Sequence, residues 1–448
     1  MLKRRMDRRY LPSRASSVSH LPQMEVDTQS QSQQSWARRP RGATATNKLR
    51  TLIGFGLIAL ANTILPHIIF QSAYLIIPFP RSLVVIIQTL PGLAAKLLFP
   101  HLGPKVPYYA RAFGLSILWG LAAFVIYVCP PNVTPTLRVL IVMLASALSA
   151  TGDLSWLGML HHYGRPGLAG WAWGTGIGGM LVATMPYALT VKMGMFLRVS
   201  IGYTWYLVPI MLLSHLFVLP QPPSGDFQPV LGQYKDDDLN VDSEEDESVG
   251  MLTRDPPTMP TSFAQQIEAN LRLTGQLVGP LMLPLFFGSV GQGVIYPGFS
   301  RSMAVTDAFD GFLSYFAVFG LSFQLGNFIS RTAILFLSFR KTKTMLLVLA
   351  VISLLLIING MTLAASSPAV IFTMGFLGGL ASGHTYISTF AAALEDNSYN
   401  SGADREFSLG VIGAGETAGL LLGGIMAARL ETGFCRMGVG NRWCDKVR

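Results

Sequence analysis

Charge is the commodity this chain lacks. Only 13% of its 448 residues are Asp, Glu, Lys or Arg, about half the roughly 25% typical of a soluble domain. With a mean hydropathy of +0.44, that scarcity excludes a soluble globular class. Cysteine is scarcer still, and three residues are too few for a disulfide framework. The first fifty residues contain no apolar run of the kind a cleaved signal peptide needs, so the first span is expected to act as the insertion signal. No nucleophile elbow and no kinase signature is present. His161-His162 are adjacent, with no acidic or cysteine partner at metal spacing. The run Gly174, Gly176, Gly178, Gly179 has no strand before it and no Lys-Ser/Thr after it, which rules out nucleotide binding and favours close helix packing. No catalytic set, metal site or cofactor is therefore expected. Much of the +9 net charge sits in the N-terminal tail. Beside a span this marks a cytosolic flank, not a nucleic-acid surface.

What the chain does have is long apolar runs. Unbroken segments of about twenty residues are the length of membrane helices and twice that of barrel strands. Eleven spans are expected: 51–77, 83–99, 110–128, 137–160, 168–189, 199–219, 274–296, 308–328, 345–365, 369–394 and 407–430. The fold class is all-α, a polytopic membrane protein. The segments are a basic disordered tail (1–50), a six-helix bundle (51–219), an acidic disordered loop (220–273), a second bundle (274–430) and a short C-terminal tail (431–448). Six spans, a cytosolic loop and five or six more is the layout of the major facilitator fold. An internal echo agrees: Gly92 through Lys96 ends the second span, and Gly326 through Arg331 ends the eighth.

Lys and Arg set the orientation. With the N-terminus cytosolic, that face receives Lys105, Arg111, Arg165, the acidic loop, Arg340-Lys341-Lys343 and Arg405. The C-terminal tail, with Arg429, Arg436, Arg442, Lys446 and Arg448, conflicts with this, because an odd span count puts it on the other face. Cys435 and Cys444 lie in that tail, either bridged in a lumen or as two free thiols. Asn132-Val133-Thr134 is a glycosylation sequon weakened by Pro135. Glu247 through Leu252 resembles a degenerate acidic dileucine signal, which makes sorting machinery a candidate partner of the loop.

Ionisable groups inside spans carry the functional expectation, since a charge at the bilayer centre costs about 2.5–3.5 kcal/mol. Asp153 lies in the fourth span, with a helix-end headgroup position as the alternative reading. Glu416 lies near the middle of the eleventh, between Gly415 and Gly419. His384, in the tenth span after Gly375, Gly379 and Gly383, is expected either to carry a proton or to bond a neighbouring carbonyl. Gln292 in the seventh span and Gln324 in the eighth either line a polar path or join helices. Such groups should face a shared hydrated interior.

Several blocks resemble the battenin family. They are Leu90-Pro91 through Lys96-Leu97-Leu98-Phe99-Pro100, Gly170 through Gly179, and Phe323 through Arg331. The most specific is Leu377-Gly378-Gly379 through Phe390, followed by Arg405-Glu406-Phe407 and Glu416-Thr417-Ala418-Gly419. The resemblance covers about residues 52–428. It implies a major-facilitator-like protein of the vacuolar or lysosomal membrane. Fungal members are linked to vacuolar pH homeostasis and basic amino-acid transport, and animal relatives to export of glycerophosphodiesters. Two carboxylates of the animal pattern are replaced, by Phe287 and near Met374, while Glu416 stands for an aspartate and Asp153 for a glutamate. The expected function is a vacuolar transporter of a small polar or charged solute, such as arginine, with protons. Asp153 and Glu416 would couple charge and His384 would carry a proton. Gln292, Gln324 and Tyr386 would make polar contacts, and Arg331 would gate the eighth span. A glycerophosphodiester exporter, or a regulator acting through the acidic loop without transport, is the alternative.

Overall fold

The computed structural model describes residues 45–76, 81–102, 106–128, 135–195, 204–220, 263–298, 309, 311–333, 342–362, 367–395 and 402–436. Residues 1–44 of the N-terminal tail, 221–262 of the acidic loop with its dileucine-like stretch, the Asn132 sequon, the Arg340-Lys341 pair and Cys444 lie outside the described residues. Residues 45–50 and 263–273, expected as disordered tail and loop, are helical and extend the spans that follow them.

The described chain is helical because lipid offers no partner for backbone N–H and C=O groups, which a helix satisfies within itself. Helix α1 is Ala45–Ile76, α2 Arg81–Leu102 and α3 Tyr108–Val128. Pro135–Tyr187 is one long run interrupted at Gly164, whose backbone (φ 63, ψ −147) leaves the helical region. Pro166 follows at once, and its missing N–H and ring prevent the helix from healing across the break. The two halves, 135–163 and 165–187, are α4 and α5. Helix α6 is Thr204–Val218, α7 Gln265–Gly298, α8 Phe312–Thr332, α9 Thr342–Thr362, α10 Pro368–Glu395 and α11 Gly402–Arg436. Among the described residues nine helical stretches are long and apolar enough to cross a membrane, one of them containing both α4 and α5. With the shorter α6 these account for all eleven expected spans.

Glycine ladders fix the packing. In α5, Gly170, Gly174 and Gly178 face α1: an added Cβ at Gly170 would lie 2.5 Å from the Leu52 carbonyl, and one at Gly174 would strike the Gly56 carbonyl. In α11, Gly415, Gly419 and Gly423 face α7, over the carbonyls of Met282, Phe286 and Val290. In α10, Gly379 abuts the Phe323 carbonyl of α8. In α4, Ser146 accepts a hydrogen bond from the Gly92 N–H of α2 at 2.9 Å. Thus α5 sits on α1 as α11 sits on α7, and α4 on α2 as α10 on α8. Adding six to a helix number reproduces the contacts, which is the signature of two repeats. Small residues four apart let backbones approach where lipid supplies no hydrophobic drive between helices.

The halves meet along two antiparallel helix pairs. Helix α2 runs against α11, bringing Val85 to Gly424 and Lys96 to Gly413. Helix α5 runs against α8, bringing Gly176 to Phe328 and Gly179 to Gln324. These pairs also exchange under the repeat. The apolar core is uneven. One cluster joins Trp156, Leu157 and Trp171 of the first half to Phe390, Leu394, Phe407 and Leu409 of the second. A separate cluster of Tyr296, Tyr315, Phe319, Phe323 and Leu356 belongs to the second half alone. The two halves therefore share a dry core toward the α10–α11 connection and keep distinct cores toward the opposite ends of these helices.

Candidate functional site

Lysine 96 occupies the middle of the α2–α11 seam. Its Nζ lies 3.1 Å from Asp153 Oδ2 on α4 and 3.5 Å from Glu416 Oε2 on α11. The Lys96 side chain is 4% accessible, against 24% for Asp153 and 18% for Glu416. Asn62 of α1 completes the group by donating Nδ2 to Asp153 Oδ1 at 2.8 Å. Gly152 permits this, since a Cβ there would strike Asn62, and Gly413 leaves room for the lysine stem. One buried ammonium is thus shared by two carboxylates from opposite halves. Inside a span such charges persist only when paired.

The repeat places a second cation, Arg331, at the matching place on α8. It is buried, and its Nη1 donates to Thr175 Oγ1 on α5 at 2.8 Å. Its guanidinium carbon lies 4.1 Å from the ring centre of Tyr386 on α10, a cation–π stack. The Tyr386 hydroxyl accepts from Trp171 Nε1 at 3.0 Å. Lys96 touches α4 and α11, and Arg331 touches the equivalents α10 and α5. The chemistry differs: Lys96 has two carboxylates, whereas Arg331 has a hydroxyl and a ring. Among the described residues no carboxylate pairs with Arg331, and its Nε has no hydrogen-bond partner.

The remaining expected residues divide. Gln324 lies at the α5–α8 seam, over Gly179, and its Oε1 accepts weakly from Asn327 at 3.4 Å. Gln292 accepts from Ser382 Oγ at 2.8 Å, a bond between α7 and α10 within one half. His384 is half-buried, and its Nε2 is enclosed without a partner. The structure therefore draws Asp153, Glu416, Gln324, Arg331 and Tyr386 to the seams between the halves. Gln292 takes the helix-joining role.

Two further ion pairs cross between the halves. Arg111 Nη1 lies 2.9 Å from Glu406 Oε1, with the Arg111 guanidinium over the Tyr108 ring at 4.4 Å. Arg165, the first residue of α5, lies 2.7 Å from Glu395 Oε1. The first pair is largely enclosed, while Arg165 is 60% accessible. Both stand at the end where the halves share their apolar core.

Lys96, Asn62, Thr175 and Trp171 were not distinguished as site residues by sequence reasoning. Lys96 had a usable signal: it is a lone lysine in an apolar span, and the rule applied to Asp153 and Glu416 applies equally to an ammonium. A lysine near a helix end can also snorkel to the headgroups, which makes the signal ambiguous. Thr175 carries no such signal. A threonine in a helix bonds its own backbone, as Thr175 also does to the Trp171 carbonyl at 2.9 Å.

The paired bundles, their repeat and the charged seam define a membrane transporter fold of the major facilitator type. A solved structure of that superfamily, a proton:xylose symporter bound to a bromo-deoxyglucose, superposes with a TM-score of 0.56 at 13% identity, over 88% of this chain and 96% of that one. Residues 53–437 match the family described as CLN3 protein, and the chain belongs to this battenin family. Curated relatives include Protein btn-1 of Neurospora crassa, 26% identical over 425 residues, 88% of this chain and 91% of that protein. Protein btn1 of Aspergillus fumigatus is 26% identical over 98% of this chain and 100% of its own length. Protein BTN1 of Saccharomyces cerevisiae is 24% identical over 87% of this chain and 97% of its own.

Proposed function

We propose that the protein moves basic amino acids, arginine among them, across the vacuolar membrane, and that this traffic contributes to vacuolar pH homeostasis. The observation that carries the proposal is the Asp153–Lys96–Glu416 group, two partly accessible carboxylates sharing one buried cation between the halves. A cationic substrate side chain carries the same charge as the Lys96 ammonium, and a guanidinium can in addition bind a carboxylate through two N–H groups. It would compete first for Glu416, where the lysine bond is the longer one at 3.5 Å. The substrate carboxylate would meet Arg331, which lacks a carboxylate of its own. Exchanging an internal cation for a substrate cation loosens the α2–α11 seam, which is the step a rocking two-bundle carrier requires. The Arg111–Glu406 and Arg165–Glu395 pairs would latch the face expected to be cytosolic, with the N-terminus on the same side.

The test is uptake of labelled arginine into proteoliposomes. Glu416→Gln and Asp153→Asn are each expected to reduce uptake at least tenfold, and unchanged uptake in both would remove the assignment. A second reading rests on Arg331: an unneutralised guanidinium also suits the phosphate of a glycerophosphodiester. Labelled glycerophosphocholine in the same vesicles, with Arg331→Lys as the control, separates the two.

A further inference from the structure

We propose that His67 of α1 is the residue that binds and releases a proton during transport, through its Nε2 atom facing the interior between the halves. The proposal rests on the carrier reading above. It replaces His384, the residue expected from sequence for a proton step.

Three observations carry it. The first fixes the tautomer. His67 Nδ1 lies 2.8 Å from the Thr63 carbonyl oxygen, one turn back on α1. A carbonyl only accepts, so Nδ1 carries a hydrogen in both protonation states. The lone pair of the neutral ring is therefore on Nε2. Adding a proton there breaks no existing bond, and removing it leaves none unsatisfied. The ring can cycle without rearranging.

The second concerns water. His67 is exposed on α1, one turn on from Thr63, which packs on Gly178 of α5, and five residues on from Asn62, which holds Asp153. On that face of α1 its exposed surface looks toward the interior between the halves, which under this proposal is wet. His384 has the opposite setting. Its Nε2 is enclosed and unpartnered, so a proton there has no relay to or from water.

The third is consequence. The charged groups of the interior belong to the two seams: Glu416 on α11, tied through Lys96 to Asp153, and Arg331 on α8. From α10 the ionisable groups are His384, Tyr386 and, at its far end, Glu395, which is paired with Arg165, and α5 offers none between 166 and 186. Protonated His67 becomes a second cation drawn to Glu416, in competition with Lys96. The Lys96–Glu416 contact joins the halves and is the looser of the two lysine bonds. A proton on His67 therefore acts on the same bond that a cationic substrate would act on. Binding of the two to one anionic group makes them competitors, the arrangement of an exchanger.

The experiment has two arms. The full chain, labelled at histidine with 13C and 15N, is placed in nanodiscs and followed by NMR between about pH 4 and pH 8, the range in which histidine titrates. One imidazole, identified by its absence in His67→Gln or, should that variant not fold, in His67→Asn, is expected to hold the Nδ1–H tautomer at high pH and to become doubly protonated at low pH. An Nε2–H tautomer, or a ring that never changes state, overturns the proposal. In the second arm, arginine uptake is measured with an acidic vesicle interior and at equal pH. The ratio of the two rates is expected to fall to about one in His67→Gln, and an undiminished ratio overturns the proposal. If the wild type moves no arginine under either condition, the substrate reading fails, and the NMR arm alone decides on His67.

Discussion

Replacing Lys96 by methionine is the sharpest test of the charged seam. Methionine preserves most of the stem's length and packing but removes the ammonium. The structure then leaves Asp153 with its Asn62 bond and Glu416 without the cation 3.5 Å away. Breaking a buried ion pair by removing one partner costs about 3–5 kcal/mol, because the surviving charge stays buried. Here the surviving carboxylates are 24% and 18% accessible. Water reaches them in part, so the expected loss lies at the low end, about 3 kcal/mol, or roughly a hundredfold in the unfolding equilibrium. Reversible unfolding in mixed micelles, followed by tryptophan fluorescence, reads this directly. The triple variant Lys96→Met, Asp153→Asn, Glu416→Gln carries no charge at the site and is expected to return to within about 1 kcal/mol of wild type, as neutralised buried ion groups commonly do. A loss below about 1 kcal/mol in the single variant, or no recovery in the triple, would show that the three residues do not act as one group.

The other ion pairs should separate by burial. Arg111→Met is expected to cost about 3 kcal/mol, and Arg165→Ala less than about 1 kcal/mol with a loss that shrinks in high salt, because Arg165 is 60% accessible. Tyr386→Phe removes the acceptor for Trp171 Nε1 and should cost about 1 kcal/mol, with a shift in tryptophan emission as the readout. Gly379→Ala places a methyl against the Phe323 carbonyl, so it should force α8 and α10 apart at a cost of about 1–3 kcal/mol in the same unfolding assay. Gly164→Ala meets no neighbour, yet its φ of +63 should still cost about 1 kcal/mol.

Sequence alone determined that this chain lives in lipid, how many times it can cross, and which half-chains repeat. Those are properties of local composition: twenty apolar residues make a span wherever they occur, and glycines four apart mark a packing face whatever packs there. It also marked Asp153 and Glu416, because a carboxylate in hydrocarbon is anomalous on its own. The tertiary structure alone decided what those carboxylates share. Lys96 lies 320 positions from Glu416, and Arg331 lies 156 from Thr175. No periodicity reaches that far, and an ammonium near a helix end is ambiguous from sequence, since it can also snorkel. His67 shows the same limit. His67 lies inside the first expected span, where an ionisable side chain is anomalous, but only the packing of α1 on α4 and α5 turns its face toward the seams. Burial, which turns a polar residue into a partner, depends on what the rest of the chain places around it.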